Sequence, residues 1–259
     1  MEVVPLGSAD EVAVLAADTI EAMIRARPAP VLGVATGSSP VPTYRELVAR
    51  HRAGAGPSYD LVRVFLLDEY VGLSPCHPQS YRATIARELT DDLGLPADRV
   101  HCPDPSDLLT AGPAYDTLLA NTGGVDLQVL GIGADGHLAF NEPGSSLSST
   151  TRLKTLTAGT RRDNARFFGS IDEVPRHALT QGLGTILRAR HLLLIASGEG
   201  KARAIAAAVE GPLTASCPAS VLQLHPHATV LLDPAAASQL EHADHYREVY
   251  HSKPEWQGL

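Results

Sequence analysis

Apolar positions fall along the chain in short uninterrupted runs, separated by longer stretches with helical spacing. Val31 to Ala35, Leu61 to Leu67, Val125 to Ile132, Leu192 to Ala196 and Ala228 to Leu232 are such runs. Their apolar positions are packed too densely for simple alternation, which is the pattern of strands buried on both faces of a parallel sheet. Residues 1–5 predict one more short strand. Helices are predicted over Asp10 to Arg27, from the Thr36 loop to about Arg52, from Pro78 to about Leu93, over Leu108 to Asn121, over 202–209, and after Leu232 to about Tyr250. Residues 94–107, with several Pro and Asp, predict a loop. Residues 144–163 are rich in Ser and Thr and carry Arg152, Lys154, Arg161 and Arg162, and they predict a polar surface loop. Asn164 to Phe168 and Ala178 to Leu187 predict partial burial. Strands alternating with helices over the whole length predict one doubly wound, Rossmann-like α/β domain spanning 1–259, its mostly parallel sheet flanked by helices.

Composition narrows the function classes. Hydrophobic residues make up 44% and charged residues 19%, ordinary proportions for a water-soluble globular protein. No apolar run reaches about 18 residues, so no membrane span is expected. The opening MEVVPLGSADEV has no basic leader and no long apolar core, so no signal peptide is expected and a cytoplasmic location follows. A formal net charge of −8 argues against a nucleic-acid surface but leaves room for a locally basic site holding a small anion. Cys76, Cys102 and Cys217 lie far apart without metal-ligand spacing, and read as free thiols in a reducing compartment.

The chemistry concentrates in Val125 to Pro143, VDLQVLGIGADGHLAFNEP. A buried-strand run meets Gly131 and Gly133, which let the backbone turn tightly, and then Asp135, His137 and Glu142. Ligands of open α/β sheets sit beyond the carboxyl ends of such strands. A histidine needs one nitrogen held by a partner before the other has a defined protonation state, and nearby acids supply one. The alternative is that His137 merely caps its loop. The spacing is neither that of a zinc helix nor of a Cys/His cluster, so no metal is expected.

Three further groups stand at predicted strand ends or helix starts. Thr36, Gly37, Ser38 and Ser39 precede Pro40 after a strand, and a helix start of this kind offers free N–H groups to an anion. The plainer reading has Ser39 capping the helix. The loop is not a GxGxxG and lacks the Walker lysine, so a nucleotide is not favoured. Asp68-Glu69-Tyr70 ends a very apolar strand. A partly desolvated carboxylate there becomes a base near neutral pH, unless it caps the next helix or pairs with an arginine. Arg166 and Lys201 are single surface charges or, together with the Thr36 loop, the neutralising partners of one phosphate.

These residues resemble the glucosamine-6-phosphate deaminase family. The matching segments are ATGSSPVPTY, FLLDEYVGL with HPQSY, GIGADGHLAFNEP, RLKTLT, ARFF, ALTQGLGTIL, AAVEGP and LQLHP, covering about residues 31–230. Related 6-phosphogluconolactonases share a GxGxDGH core but continue differently after the histidine. The resemblance implies conversion of glucosamine 6-phosphate and water into fructose 6-phosphate and ammonia, with no metal or organic cofactor, in amino-sugar breakdown. It implies Asp68 as the base between C2 and C1, and His137 as the ring-opening group, oriented by Asp135 and Glu142. It implies the Thr36 to Ser39 loop, Arg166 and Lys201 as the 6-phosphate site. Some members are hexamers activated by N-acetylglucosamine 6-phosphate. On that analogy Ser145, Arg152, Lys154 and Thr155 would form an allosteric phosphate site in a homo-oligomer, hexameric rather than monomeric, and the 144–163 loop reading competes with this one. The stretch Glu241 to Leu259 matches the family weakly. The rivals are a lactonase, against which Asn141-Glu142 and Asp68-Glu69-Tyr70 argue, and a sugar-phosphate-sensing regulator. The second would need a DNA-binding segment for which this acidic chain shows no spare N-terminal domain.

Overall fold

The computed structural model describes residues 1–259 apart from Glu255. Strand β1 (Glu2–Pro5) leads into helix α1 (Ala9–Ala26), whose Ser8 accepts a hydrogen bond from the Glu11 N–H as its N-cap. Strand β2 (Val31–Val34) is followed by α2 (Val41–Arg52), and β3 (Arg63–Leu66) is followed after one residue by β4 (Asp68–Tyr70). Helix α3 (Tyr81–Ile85) runs into a wider turn over Ala86–Thr90. Then come β5 (Val100–His101), α4 (Ala111–Asn121), β6 (Leu127–Leu130), β7 (Arg152–Thr155), α5 (Ala158–Asn164) and β8 (His177–Thr180). The chain closes with α6 (Leu183–Ile186), β9 (His191–Ala196), α7 (Ala202–Val209), β10 (Ala228–Leu232) and α8 (Ala243–His251).

Seven strands form one sheet in the order β1-β10-β9-β6-β2-β3-β5, with every pair parallel. Strand alternation sends successive side chains to opposite faces. Phe65, Leu130, Leu192 and Leu194 face a core closed by Tyr115 and Leu119 of α4 and by Ile205 and Ala208 of α7. Val64, Leu66, Val129 and Leu193 face a second core closed by Ala16 and Ile20 of α1 and by Tyr44 and Leu47 of α2. Burial on both sides is why these strands read as apolar runs. From β2 the chain steps outward to β3 and β5, whereas from β6 it steps the other way to β9 and β10. The β2/β6 boundary is therefore the topological switch point, where a doubly wound sheet opens a crevice.

The expected α/β architecture is what the chain adopts, with five local departures. Asp68-Glu69-Tyr70 is not the tip of β3 but a separate strand, antiparallel to β8 in a three-stranded sheet ordered β4-β8-β7. The expected surface loop over 144–163 contains β7 and the first part of α5, and the expected loop over 94–107 contains β5. The helix expected from Pro78 to Leu93 is regular only over α3. Ser39 does not cap α2: Pro40 occupies the cap, with no side-chain hydrogen bond. The start of α2 is fixed instead by Tyr44, whose hydroxyl donates to the Ala35 carbonyl (2.8 Å) and accepts from the Ala35 N–H (3.1 Å).

Candidate active site

Beyond the carboxyl ends of β2, β3, β6 and β9 lies a cavity of about 900 Å³. It is lined by the Thr36 to Ser39 loop, Asp68, His137, Arg166 and Lys201, so the structure brings together five separate sequence candidates and their neighbours. Asp135 and Glu142 do not line it. Ser145, Arg152, Lys154 and Thr155 do not line it.

Asp68 is buried at the start of β4, with its side chain facing the cleft. Its position follows from a hydrogen-bonded junction between the two sheets. The Gln181 N–H donates to the Leu67 carbonyl (2.8 Å), and Gln181 Nε2 donates to the Leu66 carbonyl (3.1 Å). Among the described residues no donor reaches the Asp68 carboxylate. Burial, reinforced by the charge of Glu69, raises its pKa well above the ordinary carboxylate value. Glu69 points to the opposite face of β4. Its carboxylate accepts the Tyr81 and Arg82 N–H groups (both 2.9 Å) at the start of α3, and the Tyr70 N–H (2.8 Å). Both sequence alternatives for this acidic pair are therefore realised: one acid faces the cleft and the other caps the next helix.

The loop after β6 is drawn tight by the Gly133 N–H donating to the His137 carbonyl (2.9 Å) and the Gly136 N–H donating to the Gly133 carbonyl (3.0 Å). Gly136 has φ +85°, a conformation that suits glycine. Gly133 is required for a different reason: the imidazole of His137 folds back over it, and a Cβ there would stand 2.2 Å from the ring. The ring's Nδ1 lies 2.7 Å from Asp135 Oδ1, and the same oxygen accepts the His137 N–H at 3.2 Å. The close approach of the His137 ring holds the Asp135 pKa below the usual carboxylate value against the opposing effect of burial. Nε2 is left for the cleft.

The structure brings Glu142 to Thr157 and Thr160 rather than to His137. Its Oε1 accepts from the Thr157 N–H (3.3 Å), the Thr157 hydroxyl (3.1 Å) and the Thr160 hydroxyl, fixing the first turn of α5. Arg166 follows α5, its guanidinium 4.7 Å over the Phe167 ring. Lys201 ends the turn before α7. Burial lowers its pKa first, and the facing charge of Arg166 lowers it further. Two cations at one cavity, the charge of one lowering the proton affinity of the other and only partly offset by Asp163 and Asp135, form a site suited to an anion.

On the small sheet, Arg152 and Lys154 lie two apart in β7 and so share one half-buried face, while Thr155 is exposed and its hydroxyl lies 3.2 Å from His177 Nδ1. The Ser145 hydroxyl is buried and lacks a hydrogen-bond partner among the described residues. Sequence reasoning missed Tyr70, Tyr81, Asn164 and Gln181. For Tyr70 the signal was present, because it follows Asp68 at the strand period of two. Asn164 and Gln181 gave none, since their partners are distant in sequence.

Fold and cleft together define a doubly wound α/β protein whose buried acid, paired histidine and opposed cations face one cavity at the topological switch point. A family model described as glucosamine-6-phosphate isomerases/6-phosphogluconolactonase matches residues 7–231, and the chain belongs to that family. The glucosamine-6-phosphate deaminase of Arthrobacter sp. (strain FB24) is 59% identical over 261 residues, covering 100% of both chains. That of Streptomyces coelicolor is 55% identical over 262 residues, again covering 100% of both. A solved structure of a monomeric glucosamine-6-phosphate deaminase superposes with a TM-score of 0.89 at 39% identity, covering 92% of this chain and 100% of that one. A 6-phosphogluconolactonase from Trypanosoma brucei superposes with a TM-score of 0.74 at 20% identity, covering 92% and 98%, a likeness of fold alone.

Proposed function

We propose that the chain converts glucosamine 6-phosphate and water into fructose 6-phosphate and ammonia. The observation that carries this reading is Asp68, a buried carboxylate without a hydrogen-bond donor, facing the same cavity as a histidine paired with an acid and two opposed cations. In this reading the 6-phosphate lies between the Thr36 to Ser39 loop, Arg166 and Lys201. Anchoring it there fixes the far end of the sugar relative to Asp68. His137, oriented by Asp135, takes the proton of the C1 hydroxyl and returns one to the ring oxygen, opening the pyranose. Glu142 would join that pair by exchanging Thr160 for His137. Asp68 then removes the C2 proton and returns it to C1. The resulting C2 imine adds water and releases ammonia. Its raised pKa suits Asp68 to this shuttle, because the proton it accepts must also be given back.

The reading extends to regulation. Ser145, Arg152, Lys154 and Thr155 form a second phosphate site for N-acetylglucosamine 6-phosphate in a cytoplasmic homo-oligomer, hexameric rather than monomeric. The buried, unpartnered Ser145 hydroxyl and the two cations sharing one face of β7 support it. No helix among the described residues is long and apolar enough to cross a membrane.

A coupled assay following ammonia and fructose 6-phosphate together tests the activity, and stoichiometric release of both is expected. Absence of both products overturns it. The same assay with N-acetylglucosamine 6-phosphate, beside a light-scattering mass, tests regulation. A hyperbolic curve unchanged by the acetylated sugar removes the second site, and a monomer mass removes the oligomer.

A further inference from the structure

Three polar side chains that the proposed chemistry leaves without a task, Asn164, Tyr70 and Tyr81, form one hydrogen-bonded chain beside the cleft. Asn164 Nδ2, at the end of α5, donates to the Tyr70 oxygen at 3.0 Å. The Tyr81 hydroxyl donates to the same oxygen at 3.2 Å. Thr36 lines the same cavity as both tyrosines. The two rings lie 4.7 Å apart, and both pack against Phe140, at 5.7 and 5.9 Å. Phe168 sets its edge against Tyr70 at 5.7 Å. The rings are thus locked by packing, and their hydroxyls are free to act only as links.

This chain joins the end of α5 to β4 and α3. Asn164 stands two residues before Arg166, on a segment with no regular pairing to the large sheet. Burial keeps both phenols protonated through the neutral range, Tyr70 being pushed up to about 12, so each can still donate. Tyr70 already accepts two hydrogen bonds at its oxygen, which directs its own proton away from Asn164 and Tyr81.

We propose that Tyr70 and Tyr81 are positioning residues that tie the Arg166 segment to β4 and α3, so that the anion site is assembled before its ligand arrives. The ligand class is a phosphate monoester, and the inference rests on the phosphate site of the proposed function. The physical gain is preorganisation: a segment already held in place loses less freedom on binding. Because the two tyrosines and Asn164 share one chain, breaking any link should release the same segment, and a second break should add little.

The test is calorimetric binding of inorganic phosphate to the full chain and to Tyr81→Phe, Asn164→Ala and the double variant. Circular dichroism and a melting curve check each fold. Tyr81→Phe keeps the ring and its packing, so the fold should persist. Each single variant is expected to weaken phosphate about three- to tenfold, the span of one net hydrogen bond. The double variant should lose no more than about twice the larger single loss. Steady-state kinetics should show KM rising by more than kcat falls. Phosphate affinity within about twofold of the parent in both single variants, or fully multiplicative losses, overturns the proposal. The calorimetric arm needs no turnover. A parent that binds phosphate yet releases no ammonia sinks the deaminase reading alone, whereas a parent that binds no phosphate sinks both.

Discussion

Replacing Gly133 by alanine separates the position of His137 from the stability of the fold. The new Cβ would stand 2.2 Å from Cε1, 2.3 Å from Nδ1 and 2.5 Å from Nε2 of the imidazole. Ordinary contact begins at 3.4 Å, so the ring must retreat by about 1.2 Å, the difference between 3.4 and 2.2 Å. The backbone at 133 is not in the left-handed region, so alanine adds no conformational strain of its own there. The His137 side chain is 24% exposed and can swing into the cleft rather than into packed core. The stability loss should therefore stay near the lower end of about 1–3 kcal/mol for overpacking. The swing opens the 2.7 Å contact to Asp135, and misplacement of a reacting group by about 1 Å costs on the order of 10²-fold in rate. Steady-state deaminase kinetics beside a urea titration measure both quantities. A kcat within about threefold of the parent, with an unchanged fold, would refute the claim that this ring's position matters to turnover.

Asp68→Asn should keep phosphate binding and lose about 10²–10⁴-fold in turnover, as read from kcat and from calorimetry with inorganic phosphate. Its stability effect has the opposite sign. A raised folded-state pKa means the folded protein binds the proton more tightly than the unfolded chain, so charged Asp68 is a penalty above that pKa and vanishes below the unfolded value. The variant should melt higher at neutral pH, by about 2–4 °C per kcal/mol relieved, with the gain shrinking as pH falls through the usual carboxylate range. For the same reason kcat/KM of the parent should fall on acidification with a midpoint above the ordinary aspartate value. Glu69→Gln removes the charge that accepts two α3 N–H groups and should cost about 1.5–3 kcal/mol in urea unfolding. His137→Gln should lose less turnover on open-chain than on cyclic sugar, and equal loss counts against ring opening.

The large sheet was legible because its strands are buried on both faces, and a run such as LLLIA in β9 admits little else. The cleft was legible because polar residues follow those runs at the carboxyl ends, where Thr36, Asp68, His137 and Lys201 all stand. The small sheet was not legible. Its β7 reads Arg-Leu-Lys-Thr, with neither face fully apolar, since one face is exposed and the other holds cations. Its β4 is three residues attached to a longer apolar run, and only the antiparallel partner β8, more than 100 residues away, shows that it belongs elsewhere. The company kept by Glu142 could not be read either. Nothing in NEP says whether the acid turns toward the preceding histidine or toward two threonines further on. That choice depends on where α5 docks.

The strand order also sets a timetable for synthesis. β1 is the first strand made and finds its pairing only in β10, Glu2 against Thr229, so the intervening chain must be built before that ladder can close. At about 5–20 residues per second this interval is roughly 10–45 s. Throughout it Val3 and Val4, buried in the finished protein, have no β10 to join, and once β9 is made its edge stays open until β10 arrives. Lys201 also precedes β10, so every cleft residue has been made before the sheet can be completed. A ribosome that stalls shortly before Ala228 would carry a chain with all its chemistry and an exposed seam, a substrate for chaperones rather than for sugar.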